Sequence, residues 1–311
     1  MRFDGLTAIV TGAGGGLGKT FATLLAERGA SVLVNDLGGN TVGEGADAGY
    51  AEVVASELRA RGYDAVANSD SVATSEGAAA IVADAMKHWG KVDILINNAG
   101  IGGGGMPLET VTDDQWDKGI AVAASGTFYM CRAVWAHMKE RDFGRIVNIS
   151  SSSIFGLGSY LPYPASKGAV FAITRGLASS ARAMGKNICV NAVLPIGSSR
   201  MAEDMGPEIS SMMKRDFPAS AVAPVVGLLV HPDAPCNGEA FSVGGGGFAR
   251  VFMAVTQVYR SLDKNWTMED VAAQFATAMD MQNFVIPQDS PAESELYPSD
   301  VPWASFRQYF Q

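Results

Sequence analysis

Two side chains spaced four residues apart could exchange protons with a substrate. The segment 163–167 (YPASK) places Tyr163 and Lys167 on one face of a helix, because residues i and i+4 are neighbours there. A free tyrosine has a pKa of about 10, too high for an efficient base near neutral pH. A neighbouring lysine cation favours the phenolate, so the pair could take a proton from an alcohol or return one to a carbonyl. A half-buried tyrosine beside a solvated lysine would produce the same spacing.

A glycine-rich turn predicts a nucleotide site. Residues 11–18 (TGAGGGLG) follow a β-branched run, Thr7–Thr11, and precede a segment of helical periodicity. Glycines in this context let backbone N–H groups and a helix N-terminus approach a pyrophosphate. Asp36 ends the next predicted strand, where a carboxylate can accept hydrogen bonds from ribose hydroxyls and would repel a 2′-phosphate. Residues 31–40 contain no Arg or Lys, so the pattern favours NAD over NADP. The alternative is a tight turn that binds nothing.

Alternating strands and helices must position these residues. The strands are predicted at 7–11, 30–35, 65–68, 93–97, 145–150, 188–194 and 240–243. The helices are predicted at 19–28, 51–60, 75–88, from 113 through Val134, 162–184 and 221–230. Residues 37–49 are expected to form a long polar loop, and 197–218 an irregular, methionine-rich segment. This alternation predicts the α/β class, with a doubly wound parallel sheet and helices on both faces.

The length of 311 residues fits one main domain and an appendage. We predict an NAD-binding catalytic domain over 1–248 and a C-terminal helical appendage and tail over 249–311. In the appendage, residues 267–280 are expected to form a helix with Thr267 as N-cap and Asp270 three residues later. Residues 286–302 contain four prolines and several acids and are expected to be extended.

Composition excludes several classes of partner. The net charge is −9 with no basic stripe, which argues against nucleic acid and anionic membranes. No apolar run approaches the roughly 18 residues that span a bilayer. The three cysteines and three histidines show no metal-binding spacing, so no metal is expected. No signal-peptide pattern or peroxisomal Ser-Lys-Leu address is present, and we predict a cytoplasmic location.

Five features occur in a characteristic order: the glycine turn, Asp36, residues 97–100 (NNAG), Ser150 with Ser151, and the Tyr163/Lys167 pair. In this order they resemble the short-chain dehydrogenase/reductase family over residues 3–250. The resemblance implies a Rossmann-like fold, an NAD cofactor and a Ser-Tyr-Lys catalytic set. The cofactor-binding residues that it implies are Gly12, Gly14, Gly16, Leu17, Gly18, Asp36, Leu37, Asp70, Ser71, Asn98, Ala99, Gly100, Tyr163, Lys167, Pro195, Ile196, Gly197 and Ser198.

The catalytic serine has two candidates. The family's usual interval of 13 residues before the tyrosine selects Ser150, whereas the strand register selects Ser151. We favour Ser151, because register determines which way a side chain points. Many family members hold a proton-relay water with an Asn three residues before a Gly, but Ala123 occupies that position before Gly126.

Further segments, among them 34–39 (VNDLGG), 199–201 (SRM) and 241–247 (FSVGGGG), resemble the (3R)-hydroxyacyl-CoA dehydrogenase units of type 2 multifunctional enzymes. This branch implies a 3-hydroxyacyl-CoA substrate and a homodimer or homotetramer. Its usual charged loop is replaced here by 101–106 (IGGGGM), so a hydroxysteroid or other cyclic or aromatic alcohol is an alternative. A nucleotide-sensing module without catalysis is a second alternative.

The segment 199–217 lies where the family has its mobile substrate lid. It contains four methionines and one phenylalanine, whose flexible or broad side chains suit packing on an apolar ligand: Met201, Met205, Met212, Met213 and Phe217. A helix pair that uses methionine as core filler is the alternative.

Overall fold

A computed structural model describes residues 1–102, 106–204, 206–259, 261 and 265–297. The chain divides into two compact units, Met1–Arg250 and Val251–Gln311. The first unit begins with β1 (Thr7–Thr11), whose five residues are all buried, as expected for an inner strand of a parallel sheet. The remaining elements up to the middle of the unit are α1 (Gly16–Glu27), β2 (Ser31–Asn35), α2 (Gly49–Ala60), β3 (Ala65–Asn68), α3 (Ser75–Trp89), β4 (Ile94–Asn97), α4 (Asp113–Gly119) and α5 (Gly126–Glu140).

The second half of this unit supplies the other half of the sheet. Its elements are β5 (Gly144–Ile149), α6 (Pro162–Ala183), β6 (Ile188–Ile196), α7 (Arg200–Glu203), α8 (Pro207–Asp216), α9 (Ala223–Val230), β7 (Ala240–Gly244) and β8 (Gly247–Val251). The strand order is β3-β2-β1-β4-β5-β6-β7-β8, and the pairs from β3 to β7 are parallel. The predicted α/β class with a mostly parallel, doubly wound sheet is confirmed.

The order reverses between β1 and β4, because the chain first builds outward to β3 and then returns beside β1. In such sheets a crevice opens beyond the carboxyl ends of the two strands at the reversal. One buried cluster, around Phe21, Leu25 and Val226, packs on one face, and a second, around Ile81 and Met130, packs on the other.

The helix predicted from 113 through Val134 is present without a gap, but it is not α-helical throughout. Residues Ile120–Ser125 form a π-helical turn between α4 and α5. The glycines at the ends of this turn lie against neighbours: a Cβ on Gly119 would lie 3.0 Å from Pro162 Cβ, and one on Gly126 would lie 3.1 Å from Val72 Cγ2. Ala123, in the predicted relay position, is buried within this turn.

Two segments predicted to be irregular contain short helices. In 197–218, α7 begins after Ser199, whose hydroxyl accepts a hydrogen bond from the Ala202 N–H, and α8 begins with Pro207 at its first position. In the predicted extended tail, α11 (Ser290–Ser294) is capped by Asp289. Local capping groups therefore explain why both segments contain helices, although their composition predicted irregular and extended chain. Of that tail, residues 298–302 lie outside the described residues.

The unit that begins at Val251 contains a two-stranded antiparallel sheet and two helices. The strands are β9 (Val255–Thr256) and β10 (Phe284–Val285), and α10 (Met268–Ala278) lies between them in the chain. Thr267 and Asp270 form a reciprocal capping box, so the predicted start of this helix is confirmed. Within the part of the chain that the structure describes, no helix combines the length and apolar character needed to span a membrane.

Candidate active site

The glycine turn joins β1 to α1 and leaves the start of that helix uncovered. Gly12 has φ +62°, and a Cβ there would lie 2.8 Å from the Ala99 Cα. Helix α1 begins at Gly16 with no side-chain cap from Gly15 and no acidic residue in its first turn. The N–H groups of this turn and the positive end of the helix dipole therefore face open space where an anion can bind.

Gly18 has a different part in the same turn. A Cβ on Gly18 would lie 2.2 Å from the Gly12 carbonyl oxygen, so only glycine lets α1 pack this closely on the turn. The Asn98 side-chain amide donates to the carbonyl oxygens of Thr11 and Gly12, at 3.0 and 2.9 Å. Asn98 thus holds the turn in its conformation from the neighbouring strand end.

Asp36 lies at the same edge of the sheet, because its strand pairs in register with β1 and β3. Its side chain is buried, and its two carboxylate oxygens accept hydrogen bonds from the N–H groups of Gly14 and Gly38, each at 2.8 Å. Each oxygen retains a further lone pair for a ribose hydroxyl. A Cβ on Gly14 would lie 2.8 Å from Asp36 Oδ2, so a side chain at this position would block the carboxylate.

A cavity of about 260 Å³ runs along this edge of the sheet. Gly12 and Ala99 also line a smaller cavity of about 90 Å³ at the start of α1, together with Gly16, Leu17 and Asn98. Besides Gly12, six of the predicted cofactor residues line the larger cavity: Asp36, Leu37, Asp70, Ser71, Ala99 and Gly100. The structure therefore gathers residues from the ends of four strands, β1 to β4, into one groove.

The remaining predicted cofactor residues line neither cavity. Pro195 and Ile196 are the last two residues of β6. A Cβ on Gly197 would lie 3.1 Å from the Leu17 side chain, which places this segment against the start of α1. The Ser198 hydroxyl accepts a hydrogen bond from the Ala219 N–H at 3.2 Å.

The two serines after β5 point in different directions. Ser150 is 1% exposed, and its hydroxyl donates to the Lys167 carbonyl oxygen at 2.9 Å. Ser151 is partly exposed, and its hydroxyl accepts from the Ser153 N–H at 3.1 Å. Ser151 also forms a side-chain hydrogen bond with Tyr163. Ser150 thus braces β5 against α6, whereas Ser151 faces the tyrosine hydroxyl.

Burial controls the charge state of the Tyr163/Lys167 pair. Burial raises the pKa of Tyr163, and the hydrogen bond with Ser151 offsets part of that rise. The Lys167 ammonium lies 5.8 Å from the centre of the Tyr163 ring and donates to the Ile149 carbonyl oxygen at 2.8 Å. Burial lowers the pKa of Lys167 to about 8. A Cβ on Gly100 would lie 3.2 Å from the Lys167 Nζ, so the groove ends beside this lysine.

The lid segment lies against the loops that border the groove. A Cβ on Gly102 would lie 2.8 Å from the Met201 Sδ, and the Thr41 hydroxyl donates to the Asp204 carboxylate. Met212 and Met213 are partly buried in α8, which has no fully buried residue. Met205 and residues 103–105 of the segment 101–106 lie outside the described residues.

One groove residue, Arg200, was expected in the lid and was not predicted to contact the cofactor. Arg200, at the start of α7, extends to the Asp36 end of the groove, where its guanidinium lies 3.7 Å from the Asp36 carboxylate. Residues 31–40 contain no cation, and Arg200 lies 161 residues beyond Gly39, whose carbonyl oxygen accepts a hydrogen bond from the guanidinium. Among the described residues, no group of three or more His, Cys, Asp or Glu side chains is placed to hold a metal ion.

Comparison with known proteins agrees with this arrangement. The chain is 42% identical to the peroxisomal multifunctional enzyme A of Dictyostelium discoideum over 81% of its length, and 37% identical to the mouse peroxisomal multifunctional enzyme type 2 over 93%. These alignments cover 55% and 38% of the two relatives, so the chain spans about half or less of their length.

Solved structures show the same fold. A short chain dehydrogenase from Mycobacterium avium superposes with a TM-score of 0.76 and 30% identity, covering 90% of this chain and 96% of that one. An NAD⁺-bound xylitol dehydrogenase gives a TM-score of 0.68 and 26% identity, covering 79% of this chain and all of the other. Residues 6–208 match the short chain dehydrogenase family. The resemblance in the sequence is therefore confirmed, and the chain belongs to the short-chain dehydrogenase family of oxidoreductases.

Proposed function

We propose that this protein is an NAD-dependent dehydrogenase that interconverts a bulky apolar secondary alcohol and its ketone. The observation that carries the proposal is that two neighbouring cavities share Gly12, Ala99 and Gly100. The larger cavity begins at the Asp36 carboxylate, the smaller lies at the uncapped start of α1, and Gly100 lies beside the Lys167 ammonium. A dinucleotide that lies along this groove would present its nicotinamide end to Ser151 and Tyr163.

The groove suits NAD for physical reasons. Uncapped N–H groups at the start of α1 would bind the pyrophosphate, Asp36 would accept the ribose hydroxyls, and Asp70 and Ser71 would flank the adenine. The segment 195–198 would approach the nicotinamide amide. The NAD⁺-bound state of the structurally similar xylitol dehydrogenase supports this choice.

The chemistry follows from the side chains at the end of the groove. Ser151 donates a hydrogen bond to the substrate oxygen, and Tyr163 takes the hydroxyl proton as the alcohol becomes a ketone. Because burial disfavours the Tyr163 phenolate, the Lys167 cation is needed to stabilise it. NAD bound in the groove would supply the acceptor for the hydride from the carbinol carbon, and its oxidised nicotinamide would supply a second positive charge beside the tyrosine. Ser150, which is buried against α6, positions Lys167 and does not contact substrate.

The substrate that we favour is a 3-hydroxyacyl-CoA. This choice rests on the resemblance to dehydrogenase units of type 2 multifunctional enzymes and on relatives that carry the multifunctional-enzyme name. We further propose that residues 1–248 form the catalytic domain, that 249–311 form an appendage, and that the protein is a homodimer or homotetramer. A cytoplasmic location stays a prediction, since the names of these relatives refer to peroxisomes.

The test is the rate of NADH formation, followed by absorbance at 340 nm, with a panel of alcohols. Both enantiomers of medium-chain and long-chain 3-hydroxyacyl-CoA are compared with 3-hydroxysteroids and 17-hydroxysteroids, with Tyr163→Phe as the control. Turnover of a 3-hydroxyacyl-CoA by the wild type alone would support the proposal. Turnover of a steroid alone would replace the substrate, and NAD binding without turnover of any alcohol would favour a nucleotide-sensing module.

A further inference from the structure

The position of Arg200 bears on how the groove distinguishes nucleotides. Its Nη1 donates to the Gly39 carbonyl oxygen at 3.2 Å, and its guanidinium carbon lies 5.3 Å from the centre of the Tyr50 ring. Its Nη2 lies 3.7 Å from Asp36 Oδ2. Three separate contacts therefore orient the guanidinium toward the ribose end of the groove.

The surroundings of the Asp36 carboxylate are those of an anion site. Two backbone N–H groups, from Gly14 and Gly38, donate to it, and the Arg200 cation lies beside it. Donors of this kind, an arginine fork together with converging N–H groups, also bind phosphate. The carboxylate of the protein itself occupies the site and cancels its charge.

We propose that Arg200 is a specificity-determining residue, whose charge forms with the Gly14 and Gly38 N–H groups a 2′-phosphate site that Asp36 blocks. This inference rests on the proposed function, since it places the adenosine ribose at Asp36. NAD is preferred because Asp36 occupies the site, not because the groove lacks a cation. Removal of Asp36 alone would leave two N–H donors without their acceptor and the Arg200 guanidinium without its ionic partner, and would allow a 2′-phosphate to bind.

Lys118, the other cation that lines the larger cavity, cannot replace Arg200 in the proposed phosphate site. Lys118 forms its ion pair with Asp114 at 2.8 Å, one turn away on α4. Asp70 also lines the cavity and leaves a negative charge nearby. Any gain in phosphate binding after removal of Asp36 should therefore depend on Arg200.

The test uses the full chain and two nucleotides without a nicotinamide, so that its readout does not depend on catalysis. Adenosine 2′,5′-bisphosphate carries the 2′-phosphate, and adenosine 5′-monophosphate lacks it. Calorimetry would measure both dissociation constants for the wild type, Asp36→Ala, the double variant Asp36→Ala/Arg200→Met and the control Asp36→Ala/Arg215→Met. Arg215 is also in the lid but is exposed and paired with Asp216. Asp36→Asn repeats the series if the alanine variant does not fold.

Removal of Asp36 is expected to strengthen bisphosphate binding by on the order of tenfold or more, the effect of one charge-assisted hydrogen bond. The Arg200→Met change should abolish that gain, and the Arg215→Met change should preserve it. Equal bisphosphate affinity in the two double variants, or no gain on removing Asp36, would overturn the inference. If neither nucleotide binds any folded variant, including the wild type, the nucleotide groove is misassigned and the proposed function falls as well.

Discussion

Replacement of Ser151 by alanine is expected to lower kcat strongly, whereas replacement of the adjacent Ser150 is expected to leave kcat nearly unchanged. The Ser151 hydroxyl shares a hydrogen bond with Tyr163 and is partly exposed. Loss of one hydrogen-bond donor at a developing oxyanion lowers kcat by about 10²- to 10³-fold. Ser150 is 1% exposed and donates within the protein, so Ser150→Ala should leave kcat within a few-fold of the wild type.

The two substitutions should cost similar amounts of stability. Ser150→Ala removes one buried hydrogen bond to the Lys167 carbonyl oxygen, and Ser151→Ala removes the acceptor of the Ser153 N–H. Each loss should lower the free energy of unfolding by about 1 kcal/mol. That corresponds to a decrease in Tm of about 2–4 °C for a domain of this size. Stability therefore cannot account for a hundredfold difference in kcat between the two variants.

The assay measures initial rates of NADH formation at saturating NAD and alcohol, with Tm from thermal unfolding and NAD affinity from calorimetry. Ser151→Thr is the matched control, because it retains a hydroxyl and should recover part of the lost kcat. The reasoning would be refuted if Ser150→Ala lost a hundredfold in kcat with unchanged NAD affinity while Ser151→Ala stayed active. That result would instead favour the 13-residue spacing as the guide to the catalytic serine.

Three further predictions concern neighbouring groups. Tyr163→Phe should lower kcat by about 10²- to 10⁴-fold with the NAD dissociation constant within twofold by calorimetry, and a variant with wild-type turnover would contradict the proton-transfer role. Burial lowers the pKa of Lys167 from 10.5 to about 8, so the folded state binds fewer protons than the unfolded state between these values. The buried charge therefore lowers the free energy of unfolding by its full amount below pH 8, and this destabilisation disappears as the pH rises to 10.5. Urea unfolding would measure the free energy of unfolding of Lys167→Met minus that of the wild type. This difference should fall by roughly 3 kcal/mol between pH 8 and pH 10.5. A difference that does not change with pH would argue against a buried ammonium. Gly18→Ala should lower Tm and weaken NAD binding at least tenfold, because the new Cβ meets the Gly12 carbonyl oxygen at 2.2 Å, whereas Gly176→Ala, with nothing within 4 Å, should do neither. Unchanged NAD affinity in Gly18→Ala would count against close packing of α1 on the turn.

The seven strands from β1 to β7 were predictable because each is a short apolar run bounded by polar or glycine residues, whereas β8, β9 and β10 were not predicted. β1 and β3 begin and end at the predicted residues, and the other predicted strands agree to within one or two residues. The interrupted helix around Ala123 was not predictable in this way. Its sequence has ordinary helical periodicity, and the π-helical turn is flanked by close contacts with Pro162 and Val72, which are distant in sequence.

Motif spacing identified the glycine turn, Asp36 and the Tyr163/Lys167 pair, because these contacts are local or follow from the ends of parallel strands. It left two candidates for the serine, since spacing and strand register disagreed by one residue. The structure orients Ser150 toward the Lys167 carbonyl and Ser151 toward Tyr163, a distinction that depends on how α6 packs against β5.

The sequence by itself determined the alternation of elements, the family and the residues at the strand ends, because periodicity and short-range spacing encode them. Only the tertiary structure decided which ionisable groups are buried and which charged groups lie close to one another. Burial between β5 and α6 lowers the pKa of Lys167, and the fold of the lid places Arg200 beside Asp36. Desolvation and Coulomb interactions depend on distance in space, and no interval along the chain specifies that distance.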